Sequence, residues 1–260
     1  MDLVGLAADF YKAPFKGWRA QELQVQNLRG SILPRSRHKL ALHALEGGFT
    51  HLFFIDSDMR FPVNILRRLL SWDTFIVACN CSTKEYPGSP TARIFNPHSP
   101  ESGFPYYIFP DSSGLRKVWR IGTGVMLIKT DVFRRVPKPW FGTKWVESDE
   151  DFVGEDWFFC ERAQEAGFDI MVDVAASKYI GHVGDFTYDW TTVKMKEEYL
   201  LPPIRERMIE GRVLDAAEVR ILAEGYLRKH PGAEGFREAT EASGGDCTER
   251  GASNGQEASA

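Results

Sequence analysis

The stretch that most limits the fold runs from His51 to Asp58, "HLFFIDSD". Leu52, Phe53, Phe54 and Ile55 are consecutive and apolar, the pattern of a short strand covered on both faces. Asp56 and Asp58 follow at once, with only Ser57 between them. Burying unpaired carboxylates is costly, so the end of this strand must open to solvent or to a ligand. Helical patterns flank the strand. Residues 34–48 place Leu40, Ala41, Ala44 and Leu45 on one face and close on Gly47 and Gly48. Residues 62–70 carry Val63, Leu66, Leu69 and Leu70 behind Pro62. The alternation of Leu23 and Val25 in "ELQVQNLRG" reads as a strand, and "TFIVACN" (74–80) as the next one. Strands alternating with helices predict an α/β chain with a three-layer, mostly parallel, Rossmann-like sheet. Ligands of such sheets bind outside the carboxyl ends of the strands, where Asp56 and Asp58 stand.

Further along, 81–114 is rich in proline and glycine, with "YYIF" (106–109) as a short strand. Residues 117–133 read as two strand-like runs about Gly122-Thr123-Gly124. Residues 154–167 read as a helix with acids in its first turn and Gly167 just past its end. Residues 169–180 read as extended, followed by Gly181 and His182. A helix over about 1–13 precedes all of this, and helices around 200–211 and 214–229 follow. The composition then turns to Gly, Ala, Ser and Glu. The expected organisation is a catalytic unit over 1–190, a helical extension over 191–230 and a disordered tail over 231–260.

The net charge of −4 argues against a general nucleic-acid binder, and the basic group Arg29, Arg35, Arg37 and Lys39 reads first as a solvated helix face. Cys79, Cys81, Cys160 and Cys247 have no zinc spacing; reduced thiols in a cytoplasmic protein are expected. The N-terminus has no signal-peptide pattern. No apolar run approaches the roughly 20 residues that cross a bilayer, so any membrane contact is expected to be peripheral.

Two oxygen ligands at the spacing of Asp56 and Asp58 suit a hard cation such as Mn²⁺ or Mg²⁺ bridging to phosphate. On the tripeptide alone, a helix cap at Asp56 and a solvated acid at Asp58 are the commoner outcome. The preceding strand leaves two site types. One is a haloacid-dehalogenase-like phosphohydrolase with Asp56 as nucleophile. The other is a nucleotide-sugar transferase with a D-x-D metal site. Arg60 stands where the first type wants Thr or Val, and Glu155-Asp156 opens a helix instead of ending a late strand.

Five segments in order, "GSILPRSRHKLALHAL", "THLFFIDSDMRFP", "GTGVMLIKTDVF", "GEDWFFCERAQEAGFDIMVD" and "GHVG", resemble the GT-A glycosyltransferases, close to the family-two-like enzymes of bacteria and phages. The resemblance covers about residues 20–185. It implies a metal-dependent hexosyltransferase that uses a nucleoside-diphosphate sugar and a carbohydrate, lipid-linked or other hydroxyl acceptor. It implies that Asp58 ligates the metal, with His182 and Asp56 completing the site, Asp56 also facing the donor. Asp156 would be the catalytic base and Glu155 its orienting partner or an acceptor contact. Arg35 and Arg37 would lie near the donor phosphates, and Gly122, Thr123 and Gly124 would border the sugar. Trp157 would either stack on an acceptor ring or pack in the core. An inverting outcome follows if Asp156 is the base. The family's opening strand and its nucleobase loop have no counterpart here, which points to a true start upstream. A non-catalytic nucleotide- or carbohydrate-binding relative is the reading outside enzymes.

Overall fold

The apolar run before the two acids is a strand, and the helical patterns flanking it fold as helices. The computed structural model describes residues 2–15, 22–28, 30–95, 103–109, 112–147, 150–184, 187–193 and 228–229. In chain order the elements begin with α1 (Leu3–Tyr11), α2 (Leu33–Glu46), β1 (His51–Ile55), β2 (Met59–Arg60), α3 (Ile65–Ser71) and β3 (Ile76–Ala78). Then come β4 (Arg93–Ile94), β5 (Phe104–Pro105), β6 (Leu115–Val118), β7 (Val125–Lys129) and α4 (Thr130–Arg135). The chain continues through β8 (Lys144–Val146), β9 (Asp151–Val153), α5 (Glu155–Glu165), β10 (Ile170–Asp173) and α6 (Val174–Ser177). It ends, as described, in β11 (Gly181–Val183), β12 (Thr187–Asp189) and a 3₁₀ turn, Trp190–Thr192. The helices expected around 200–229 and the tail fall almost wholly outside the described residues.

The main sheet has five strands in the order β1-β7-β3-β10-β6. It is mixed, which corrects the expectation of a mostly parallel sheet. Only β3 and β10 pair in parallel; β7 runs against both β1 and β3, and β6 against β10. The run Val125–Ile128 is buried on both faces, as a parallel central strand would be, and that burial does not encode direction. Even so, β1, β3 and β10 share one direction. Phe54 and Ala78 both lie opposite Met126, and Ala78 lies beside Val172, so their carboxyl ends emerge at one edge.

Successive side chains of these strands point to opposite faces and divide the core. On one face Phe54, Ile76, Met126, Ile128 and Val172 pack with Ala41 of α2, Phe133 of α4 and Phe159 of α5. On the other, Val77, Val125 and Leu127 pack with Leu6 and Phe10 of α1, Leu66 and Leu69 of α3, and Ala176 of α6. Gly167 at φ 84° takes the left-handed conformation expected just past α5.

Two local expectations fail for identifiable reasons. Residues 22–28 form no strand. The Leu23 N–H donates to the Tyr11 hydroxyl at 2.8 Å, and Gln24 Oε1 lies 3.1 Å from His43 Nε2. Side chains of α1 and α2 thus hold a segment that no strand pairs. The extended run expected over 169–180 stops at Asp173, whose carboxylate accepts the Ala176 N–H at 2.9 Å and caps α6. "YYIF" is irregular; the neighbouring pair Phe104–Pro105 forms the strand instead.

Candidate active site

Acids stand at the ends of two strands, β10 and β1, at the same sheet edge, and their fates differ. Asp173 is fully buried and satisfied. It accepts from Arg68 Nε at 2.7 Å, from Trp72 Nε1 at 2.7 Å and from the Ala176 N–H. That is a structural carboxylate. Asp56 and Asp58, past the end of β1, keep side-chain exposures of 36% and 38% and remain accessible to a ligand. Asp56 caps no helix: α3 starts after Asn64, and the Asp56 carboxylate turns toward α2.

There it meets Arg37. This guanidinium is buried, so the basic N-terminal group is not simply a solvated face. Its Nη2 donates to both oxygens of Asp56 at 3.1 and 3.2 Å, and its Nε donates to Glu155 Oε1 at 3.0 Å. One side chain thereby fastens the end of β1 to the first turn of α5. Arg35, two positions away on α2, cannot share that face and is exposed.

Asp156 follows Glu155 in the same helical turn. Protein crowds it on most sides while it keeps a partly accessible surface. That desolvation, then the adjacent Glu155 carboxylate, raises its pKa to about 6 against the opposing Trp157 N–H and Arg37. Gly122 and Gly124 border the two acids. A methyl group on Gly122 would lie 3.5 Å from Asp156 Oδ2, and one on Gly124 would lie 3.7 Å from Asp56 Oδ2. Neither glycine has a positive φ, so what they contribute is room. Between them Thr123 is buried, and its hydroxyl makes no hydrogen bond among the described residues.

Asp58 lies on the other flank. Its carboxylate pairs with the Lys84 ammonium, and its backbone C=O accepts the Val183 N–H at 2.7 Å. The latter contact belongs to the β2–β11 pairing, which sets His182 opposite Met59, beside Asp58. Burial raises the Asp58 pKa; Lys84, the residue's own N–H and His182 outweigh it and leave the carboxyl below its ordinary value. His182 Nδ1 lies 2.5 Å from the Ser82 carbonyl oxygen. That contact orients the ring and leaves Nε2 as the nitrogen on its other side.

Cys81 ties the groups together. Burial first, then the fields of Asp56, Asp156 and Asp58, pushes its thiol pKa up to about 12. All three carboxylates therefore lie within electrostatic reach of the Cys81 thiol, beside the end of β3. Past that point lies a cavity of about 380 Å³, lined by Asn80, Cys81, Tyr107, Phe109, Trp190 and Thr191.

No protein-family model matches this chain, and no curated protein does. Among solved structures the chain is similar to the crystal structure of A197 from STIV. The two share 16% identity over 60% of this chain and 70% of that one, with a TM-score of 0.44.

Of the residues singled out in the sequence, Asp56, Arg37, Glu155, Asp156, Gly122, Thr123 and Gly124 come together, with Asp58 and His182 beside them. Arg35 stays apart. Trp157 is half-buried, with the Arg93 and Arg120 guanidinium carbons 5.6 and 5.1 Å from its ring centroid. Lys84 and Asn80 carried no signal in the sequence. Lys84 is one polar residue in a proline-rich loop. Asn80 is buried; its Nδ2 donates to the Tyr106 carbonyl at 2.8 Å and its Oδ1 accepts the Ala92 N–H at 3.0 Å. It anchors the loop that lines the cavity.

Proposed function

We propose that this chain is a GT-A-type glycosyltransferase that moves a sugar from a nucleoside-diphosphate donor to a hydroxyl acceptor with inversion. The observation that carries the reading is the Arg37 bridge. It sets an accessible D-x-D beside a carboxyl of raised pKa, across a glycine-lined gap, at the carboxyl ends of three co-directional strands. Helices packed on both faces of the sheet support the three-layer, Rossmann-like architecture that this fold has.

The chemistry follows from the groups present. A base with a pKa about 6 is ionised at neutral pH and still basic enough to take a proton from a sugar hydroxyl in the transition state. Asp156 accepts that proton while the acceptor oxygen attacks the anomeric carbon from the face opposite the diphosphate. Glu155, pinned by Arg37, holds the first turn of α5 in place and raises the basicity of its neighbour. The open side of Gly122 and Gly124 admits the donor sugar. The cavity walled by Tyr107, Phe109 and Trp190 is the acceptor side, since aromatic faces pack against sugar rings.

A divalent cation fits this site in a limited form. Asp58 already holds a positive charge, the Lys84 ammonium, and His182 stands beside it. Asp56 is committed to Arg37 and acts as an organiser. Among the described residues no three His, Cys, Asp or Glu side chains converge on one point. Mg²⁺ characteristically takes one or two carboxylates and completes its shell with substrate phosphates and water. Asp58 and His182 would hold Mn²⁺ or Mg²⁺ here, and the ion would supply positive charge against the leaving diphosphate.

The phosphohydrolase alternative needs a free Asp56 oxygen as nucleophile, and both oxygens accept from Arg37. The test is release of nucleoside diphosphate from a panel of nucleotide sugars, with Mn²⁺ and simple glycoside acceptors, beside Asp156→Asn. Turnover with one donor, lost in the variant, supports the reading. Phosphate release from a monoester that is lost in Asp56→Asn would replace it with the hydrolase.

A further inference from the structure

Lys84 is the residue whose position no role so far explains. It stands in the loop after β3, its side chain 42% exposed, with its ammonium on an Asp58 carboxylate that is 38% exposed. Such solvent-facing pairs are weak, so this one is easily exchanged. Its neighbours are less free. The Thr83 N–H donates to the Ser89 carbonyl at 2.8 Å, the Ser89 N–H donates to Thr83 Oγ1 at 2.9 Å, and Gly88 donates to the Thr192 carbonyl at 3.0 Å. The backbone around Lys84 is therefore tethered at both ends. The ammonium has a fixed base and a small radius of action centred on Asp58.

We infer that Lys84 binds the donor's diphosphate and is held in reserve by Asp58 until a divalent cation displaces it. The inference rests on the donor reading given above. Asp58 is the point at which two positive groups meet: it is the carboxylate that would ligate a cation, and it already carries Lys84. Lys84 holds one oxygen of Asp58, Oδ2, and a cation on the other oxygen would stand close enough to repel the ammonium. Cation binding at Asp58 would thus favour moving the Lys84 ammonium off the carboxylate. The phosphate oxygens drawn to that ion are then the nearest acceptors for the three donors Lys84 carries, and lysine serves phosphate well as a point charge. Free-chain cation binding is weakened because Lys84 must leave. Binding of cation plus diphosphate is strengthened because Lys84 has somewhere to go. The two ligands are thereby coupled through one side chain, and the coupling is reciprocal.

The experiment uses the full chain and Lys84→Met, which keeps the length of the stem and removes the charge. Mn²⁺ binding without nucleotide is followed by the electron paramagnetic signal of the free ion. Binding of UDP, GDP, ADP, CDP and dTDP at saturating Mn²⁺ is followed by calorimetry. In Lys84→Met the free chain should bind Mn²⁺ about threefold tighter or more. The preferred diphosphate should bind about tenfold weaker or more. Mn²⁺ affinity unchanged or lowered in the variant overturns the proposal, as does an unchanged diphosphate affinity. If the folded wild type binds Mn²⁺ but none of the five diphosphates, the donor reading itself fails and takes the proposal with it. If it binds a diphosphate equally well in chelator, Asp58 is no cation site and the exchange is refuted, while the donor reading survives.

Discussion

Asp156 is the residue on which most turns, because its desolvation has two measurable consequences of different kind. Its carboxyl is raised to about 6, so the folded chain binds that proton more tightly than the unfolded chain does. Between the ordinary value, near 4, and about 6, the native state carries more protons, and stability falls as the pH rises through this window. Above it the penalty is complete. Asp156→Asn should therefore be more stable than the wild type by on the order of 2–3 kcal/mol at pH 8, with the advantage shrinking toward pH 4. Urea denaturation at several pH values measures this. The same variant should lose about 10²–10⁴-fold in turnover, and wild-type kcat/KM should climb through a limb near pH 6. Gain of stability with loss of activity is the signature of a functional acid; a helix-capping acid would lose stability. Gly122→Ala offers a second residue-scale check. The added methyl would sit at 3.4 Å from Thr91 Cβ and 3.5 Å from Asp156 Oδ2, ordinary contacts, so stability should change by less than about 1 kcal/mol. On the proposed function the space it fills is the donor's, and kcat/KM should fall.

Among the elements, Arg37 joins α2 to the end of β1 and to α5. Removing it leaves Glu155, 13% exposed, without its partner and frees Asp56, 36% exposed. Arg37→Met should cost about 2–4 kcal/mol, below the full figure for a wholly buried network because Asp56 is partly solvated. Arg35→Met should cost less than about 0.5 kcal/mol and leave turnover intact. Thermal denaturation of the two variants, which lie two residues apart on roughly opposite faces of α2, separates the bridge from general surface charge. The pair also shows where sequence patterns stop. Both arginines stand among the polar residues that open the same amphipathic segment, and the apolar stripe Leu40, Ala41, Ala44 and Leu45 orients that helix only coarsely. Which arginine turned inward was decided by Asp56 and Glu155, which lie 19 and 118 residues away along the chain. Residues 22–28 make the complementary point. Their alternation specifies an extended chain, but a strand needs a partner, and the tyrosine and histidine that hold them instead are tertiary neighbours.

For the whole molecule, the α/β class, β1 with its terminal acids, α5 with its leading acids and the glycine turn were all legible from local pattern. Strand direction was not. The uninterrupted apolar run of β7 is compatible with either direction, and the chain path through 81–124 that reverses it is set by buried anchors such as Asn80. Lys84 was invisible for the same reason: a lysine in a loop acquires meaning only when Asp58 is found beneath it. Among the described residues no helix is long and apolar enough to cross a membrane. On the proposed function a nucleoside diphosphate binds at the carboxyl edge of this sheet through Asp58, with Asp156 free for chemistry. Calorimetric titration of UDP and GDP, with and without Mn²⁺, into wild type, Asp58→Ala and Asp156→Asn tests it most directly. Mn²⁺-dependent binding that is lost in Asp58→Ala and retained in Asp156→Asn is the expected result. Binding that survives in Asp58→Ala, or no binding of either nucleotide to the folded wild type, would contradict it.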